Sequence, residues 1–190
     1  MDETRFFGLP LSTAPGHVMT PRAASEQLVT VAADRVGNAS ARVADVGTGS
    51  GAIAVALALA APHAEVWATD VSAAAVLLAR ANAHRLGLGD RVHVLRGDLV
   101  MPVPGELDLI VANLPYLSDD ERVCHPDLAD EPDGAVFAAG DGLGPYRRLL
   151  AMAEQKLRPD GAVVIQLHRR AIVAERDAVS TLRATLPAVA

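Results

Sequence analysis

The chain has 190 residues, 51% of them hydrophobic but only 3% aromatic, and a formal charge of −6. That length fits one domain with a sizeable core filled by Ala, Val and Leu, and the acidic balance argues against a nucleic-acid backbone as partner, which needs clustered Lys and Arg. The single cysteine, Cys124, excludes an intrachain disulfide and fits a reducing, cytoplasmic setting; Asp2 and Glu3 are not the basic start of a signal peptide, and the longest apolar run, Ala52 to Pro62, is too short to span a bilayer.

Residues 1–20 carry Gly8, Pro10, Pro15 and Gly16 without a clear period and read as an irregular arm; residues 21–190 read as one domain. Thr20 and Pro21 look like an N-cap and first helical position, opening a helix over Arg22 to Val36 that Gly37 and Asn38 stop. Strands follow at Arg42 to Val46, Glu65 to Thr69, Arg91 to Leu95, Leu107 to Ala112 and Ala162 to Leu167. Helices are predicted at Ala52 to Ala61, Ser72 to Leu86, Leu143 to Leu157 (closed by Pro159 and Gly161) and Ala171 to Thr185. Strands alternating with helices mean βαβ units and a Rossmann-like, doubly wound, mostly parallel α/β sheet.

Two junctions carry chemistry. Asp45-Val46-Gly47-Thr48-Gly49-Ser50-Gly51 joins the first strand to a helix. Three glycines in five residues let the backbone approach a ligand, and the helix N-terminus offers free N–H groups. Gly47-x-Gly49-x-x-Ala52 also satisfies the dinucleotide pattern, so the loop leaves the nucleotide open. Asp70, ending the second strand, sits where an acidic residue holds ribose hydroxyls in either case, or where it caps the next helix. Gly97-Asp98 follows the third strand, where an adenine edge could be read. The second junction, Asn113-Leu114-Pro115-Tyr116, tips the fourth strand. Asn113 offers a side-chain carbonyl, Pro115 biases Leu114 towards an extended conformation, and Tyr116 offers a face for a flat group. Two acceptors and an aromatic wall suit a planar NH2 group aimed at a methyl donor.

With these residues together, the chain resembles the class I S-adenosylmethionine-dependent methyltransferases, and within them the release-factor glutamine methyltransferases, the HemK/PrmC family. The likeness runs from about Phe6 to Leu167. It includes Arg5-Phe6-Phe7-Gly8-Leu9, Thr20-Pro21-Arg22 and Glu26; Asp45 to Gly51; Ala68 to Ser72; Ala79 to Ala83; Glu131-Pro132 with Ala135; and Gly140-Asp141-Gly142-Leu143 with Tyr146-Arg147. The resemblance implies S-adenosylmethionine as cofactor, lined by Gly47, Thr48, Gly49, Ser50 and Gly51, with Asp70 on its ribose and Asp98 and Leu99 beside its adenine. It implies that Asn113 and the Leu114 carbonyl hold the acceptor amide next to Pro115, with Tyr116 packed on it and Asn113 also reaching the donor. The family usually has Asn-Pro-Pro-Tyr; Leu114 departs from it, and Asn-Leu-Pro-Tyr also occurs in rRNA dimethyladenosine methyltransferases.

The family's helical N-terminal docking domain and its last two strands are expected to be absent, leaving either a naturally shorter sheet or a truncated product. The sheet edge near Ala162 to Leu167 is then expected to be covered by a partner protein or a second copy. Between Leu114 and Gly134, Asp119, Asp120, Glu121, Asp127, Asp130, Glu131 and Asp133 stand against Arg122. This acidic lip makes nucleic acid a poor partner. The expected activity is protein glutamine N-methylation. The alternatives are another nitrogen acceptor, in a small metabolite or an adenine, and a donor-binding but inactive homologue. No metal-ligand cluster is expected; Cys124-His125 alone is not a zinc site.

Overall fold

The structure, a computed structural model, describes residues 2–168 and 170–189. Met1 of the arm, Arg169 and Ala190 lie outside the described residues, as does the side chain of Asp127 in the acidic lip. The first departure from expectation comes at once. The arm is a β-hairpin, β1 (Asp2–Phe6) and β2 (Leu9–Thr13), paired antiparallel. Its turn is Phe7-Gly8, both at positive φ (51° and 76°), the geometry that matches strand twist in two-residue hairpins. Phe6 and Leu11 are fully buried, so the hairpin is part of the core rather than an irregular arm.

After β2 the chain turns at Pro15–His17, where the N–H groups of His17 and Val18 donate to Ala14 O, passes through Thr20 and Pro21 without regular structure, turns again through a short 3-10 helix at Ala23–Ser25, and enters α1 (Glu26–Val36). The helix therefore starts later than predicted, and Thr20 is no N-cap: its N–H donates to Glu131 Oε2 at 3.0 Å. β3 (Arg42–Val46), α2 (Ala52–Ala60), β4 (Glu65–Asp70), α3 (Ala73–Arg85), β5 (Val92–Arg96) and β6 (Leu107–Ala112) then follow the predicted alternation. Beyond a single turn, α4 (Asp133–Val136), come α5 (Gly144–Lys156), β7 (Leu157–Leu167), β8 (Arg170–Glu175) and α6 (Val179–Val189).

Six strands form one sheet in the order β5-β4-β3-β6-β7-β8, parallel except for β8. β3 and β6 are buried on both faces, as central parallel strands are. One face packs on α1, α2, α3 and the hairpin, the other on α5 and α6. The alanines of α2, buried from Ala52 to Ala58, let that helix lie close on the sheet.

β8 corrects two expectations. The segment from Ala171 is a strand before it is a helix, and it pairs antiparallel with β7 from Ala162↔Glu175 to Leu167↔Arg170. The edge near Ala162 to Leu167 is thus covered by this chain itself, and the sheet does not end at β7. The 171–175 run alternates inward and outward residues, a pattern that a short window confuses with a helix face. The new edge is guarded: the Ala171 N–H donates to Gln27 Oε1 at 3.2 Å, and Glu175 pairs with Arg35. Among the described residues no helix is long and apolar enough to cross a membrane.

Candidate active site

The strand order reverses between β3 and β6, and a crevice opens beyond their C-terminal ends, where open α/β sheets take ligands. The glycine loop is fixed there by β4: the N–H groups of Gly47 and Thr48 both donate to Thr69 O at 2.9 Å. Asp70 completes the loop. Its carboxylate accepts Gly49 N–H and Ser72 N–H, each at 2.9 Å, while Ser72 itself caps α3 by accepting from Ala75 N. Asp70 is therefore an anchor for the loop as well as a candidate ligand, with lone pairs to spare.

Below the loop lies Asp45, fully buried. Its Oδ2 accepts from Thr48 Oγ1 at 2.6 Å and from Ala54 N at 3.1 Å, whereas Oδ1 has no partner among the described residues. Burial pushes this carboxyl up to about 7, against the pull of those two hydrogen bonds. Gly51 is packed so tightly on α3 that a Cβ would sit 3.0 Å from that of Ala79. Asn82 on α3 then ties loop to hairpin, donating to Ser50 O (2.9 Å) and Ser12 O (3.1 Å).

Two cavities meet at the tip of β6. The smaller, of about 390 Å³, is lined by Gly47, Gly49, Asp70, Asp98 and Leu99 among others, with the buried, unpartnered Thr69 Oγ1 in its floor. Thr48, Ser50 and Gly51 do not line it; Thr48 and Ser50 face a small neighbouring cleft. Asp98 is ion-paired with Arg148, and Leu99 is buried at φ 49°. The larger cavity, of about 1120 Å³, is lined by Ser25, Tyr116, Gln166 and His168 among others. Met19, Asn113, Leu114, Pro115 and Ala135 line both.

The four motif residues are each held differently. Asn113 Nδ2 donates to Ser25 Oγ at 2.9 Å, which leaves Oδ1 as the end of the amide free to accept. The Leu114 N–H donates to the Tyr146 hydroxyl at 2.9 Å. The Tyr116 hydroxyl donates to His168 O at 2.9 Å, and its ring meets the His168 imidazole edge-on with centroids 5.4 Å apart. Pro115 lies between the two tyrosine contacts. Behind them Gly142, at φ 78°, backs the motif so closely that a Cβ would be 2.2 Å from Tyr116 O. Sequence reasoning missed Ser25, Gln166 and His168 as members of the site; their neighbours are distant in the chain, and no local pattern marks them.

The acidic lip is folded on itself. Ser118 N–H and hydroxyl both bind Glu121 (2.8 Å each), holding its carboxyl below the usual range. Arg122 bridges Asp119 and Asp133. Glu131, whose side chain is only 10% exposed, clasps Thr20 and Arg22. No cluster of potential metal ligands occurs among the described residues.

A family model described as Methyltransferase small domain matches residues 22–129, more than half of the chain. The release factor glutamine methyltransferase of Gloeobacter violaceus is 44% identical over 154 residues, which cover 79% of this chain and 54% of that protein. That of Bordetella pertussis is 46% identical over 150 residues, covering 77% and 55%. The chain thus spans about half the length of the curated relatives it matches. Among solved structures, a Lactobacillus delbrueckii ribosomal protein L11 methylase aligns with TM-score 0.56 at 26% identity, over 78% of this chain and 62% of that one. A Thermus thermophilus 16S rRNA methyltransferase in complex with AdoMet and guanosine aligns with TM-score 0.60 at 20% identity, over 86% and 40%, a likeness of fold.

Proposed function

The chain belongs to the Methyltransferase small domain family, and from that premise we propose that it methylates the side-chain amide nitrogen of a glutamine in a protein, with S-adenosylmethionine as donor. The observation that carries the reading is the meeting of two cavities at one oriented amide. Asn113 lines both, and Ser25 holds its Nδ2 end, which leaves Oδ1 as the acceptor. Small-molecule pockets run from roughly 300 to 1,000 Å³; the 390 Å³ cleft suits a nucleoside-sized donor, and the 1120 Å³ chamber is wide enough for a segment of another protein.

The donor supplies a methyl group already activated on a positively charged sulfur. The protein's work is alignment and exclusion of water. Asp70, fixed by Gly49 and Ser72, offers its remaining lone pairs to the ribose hydroxyls. The base lies by Leu99 and Asp98, with Arg148 on the outer side of Asp98. The backbone of Gly47 and Gly49 permits close approach, while Thr48, Ser50 and Gly51 shape the loop from behind. On the acceptor side, Asn113 Oδ1 takes one N–H of the substrate amide and Leu114 O the other. Pro115 biases Leu114 towards an extended conformation and so fixes the direction of that carbonyl, and Tyr116 walls the group. As nitrogen bonds the methyl carbon and the carbon–sulfur bond breaks, these acceptors favour the positive charge that grows on nitrogen. That nitrogen then loses one proton to solvent; no strong base is needed before transfer.

A release factor is the proposed substrate, docking on the rim of the larger chamber, through the hairpin or through a further protein partner. The test is incubation with labelled donor and a release factor carrying its Gly-Gly-Gln loop, with the site mapped by mass spectrometry. One added methyl on that glutamine is expected. Calorimetry is expected to show binding of S-adenosylhomocysteine and none of NAD. Tight NAD binding, or methylation of an adenine in RNA in place of the protein, overturns the reading.

A further inference from the structure

We propose that the Tyr146 hydroxyl is a positioning residue for methyl transfer, fixing the Asn113–Leu114 peptide from which the Asn113 side chain and the Leu114 carbonyl project. The inference rests on the glutamine reading above. Tyr146 lies on α5, which contributes Pro145 and Arg148 to the wall of the smaller cavity, and it is completely buried. Its hydroxyl accepts the Leu114 N–H at 2.9 Å, lies 2.6 Å from Gln166 O and 3.4 Å from Leu114 O. A phenol has one proton, and the shorter contact takes it. The oxygen therefore receives from the tip of β6 and gives to the end of β7. Burial holds this phenol far above its ordinary range, so it stays a donor at any physiological pH.

Leu114 is buried in the core that packs α5 and α6 on the sheet. Its side chain closes on the glycine loop, where a Cβ on Gly47 would be 2.7 Å from Leu114 Cδ2, and Pro115 restricts its backbone. Neither contact sets the rotation of the Asn113–Leu114 peptide. The bond to Tyr146 does, and it exists because residue 114 has an N–H to give. A proline at this position has none. The hydroxyl is thus matched to the leucine that departs from Asn-Pro-Pro-Tyr.

The test compares Tyr146→Phe in three backgrounds of the full chain: wild type, Leu114→Ala, which keeps the N–H, and Leu114→Pro, which removes it. A release factor serves as acceptor, and kcat, KM, S-adenosylhomocysteine affinity and Tm are read for each. Tyr146→Phe is expected to lower kcat by about tenfold or more in the first two backgrounds, with donor affinity within about twofold, as a displaced acceptor geometry does. In the Leu114→Pro background the further loss is expected to be under about threefold, since coupled partners do not add. A purely structural role lowers Tm alike in all three backgrounds and leaves kcat well below Tm unchanged; that result overturns the role. Amide hydrogen exchange gives a second measurement if Leu114→Pro does not fold. The Leu114 amide is expected to exchange faster in Tyr146→Phe while Val111 and Ala112 stay protected; equal protection of Leu114 overturns the inference. A wild-type chain that methylates no glutamine overturns the substrate reading and this role together, whereas normal turnover by Tyr146→Phe overturns the role alone.

Discussion

The two cavities that meet at Asn113 are built by opposite means. The side proposed to take the donor is held by neighbours: Gly47 and Thr48 hang from Thr69 O, and Gly49 from the Asp70 carboxylate, all on adjacent strands and the loops that follow them. The side proposed to take the acceptor is held by side chains brought from far away. Ser25 reaches Asn113 across 88 positions, Tyr116 reaches His168 across 52, and Tyr146 reaches Leu114 across 32. A loop held by its own strands tolerates change elsewhere, while a motif held by distant partners fails when any of them moves. Perturbations should therefore separate the two functions, and the acceptor side should be the more fragile.

The largest separation is expected from Gly142→Ala. The added Cβ meets the backbone of Tyr116 at 2.2 Å, and φ is 78°. Backbone cannot yield as a side-chain tip does, so a loss of about 3 kcal/mol or more of stability is expected from strain and overpacking. Denaturant titration measures it, and below the transition turnover should be lost while donor affinity persists. Stability within error of wild type would show that the motif is less rigidly backed than its contacts imply. Next comes Asn113→Ala, expected to lower turnover by about 100-fold or more, a loss typical of removing one preorganised acceptor or donor, with calorimetric donor affinity nearly intact. A parallel loss of donor binding would mean that Asn113 belongs to both sides equally.

Much of the smaller cavity's wall was legible in the sequence, because its parts are adjacent in the chain. Gly47 to Gly51 and Asp70 sit at the ends of strands whose apolar runs are unmistakable. The tetrapeptide from Asn113 to Tyr116 was legible as a motif, but what orients it was not: nothing near Ser25 marks it as the partner of an asparagine beyond seven intervening elements. The hairpin was hidden for another reason. Gly8 and Pro10 read as loop residues, yet one supplies a positive-φ turn and the other sits in β2, and the burial of Phe6 and Leu11 that makes the strands stable is a tertiary fact. β8 was lost to a helix for the same cause, since six residues are too few to tell the two periods apart.

Smaller effects sharpen the donor half. Asp70→Ala removes charge-assisted bonds to the ligand and to Gly49, and donor affinity is expected to fall by about 1.5–3 kcal/mol, read by calorimetry; unchanged affinity removes Asp70 from the site. A separate effect is expected on pH dependence. Asp45 has an ordinary pKa of 3.8 and is pushed up to about 7 in the fold. Between those values the folded state keeps a proton that the unfolded state releases. Stability from this group is therefore complete below about pH 4 and is lost as pH rises to about 7, with a slope of up to about 1.4 kcal/mol per pH unit. Asp45→Asn should flatten that slope in denaturation curves across the window; a slope identical to wild type would assign the pH dependence elsewhere.

The clasp between Thr20 and Glu131 has a consequence for how the protein comes into being. It joins residues 111 positions apart, and the segment it holds supplies His17, Val18 and Met19 to the donor cleft. Closing so long a loop costs chain entropy that only late contacts can repay. In synthesis, β3 to β6 precede Glu131. The sheet and its glycine loop thus form under an open roof, and the cavity acquires its third wall only once the lip has folded back onto the beginning of the chain. Ligand affinity in refolding should accordingly appear after the bulk of the helical signal, as the last event to be gained and the first to be lost on unfolding.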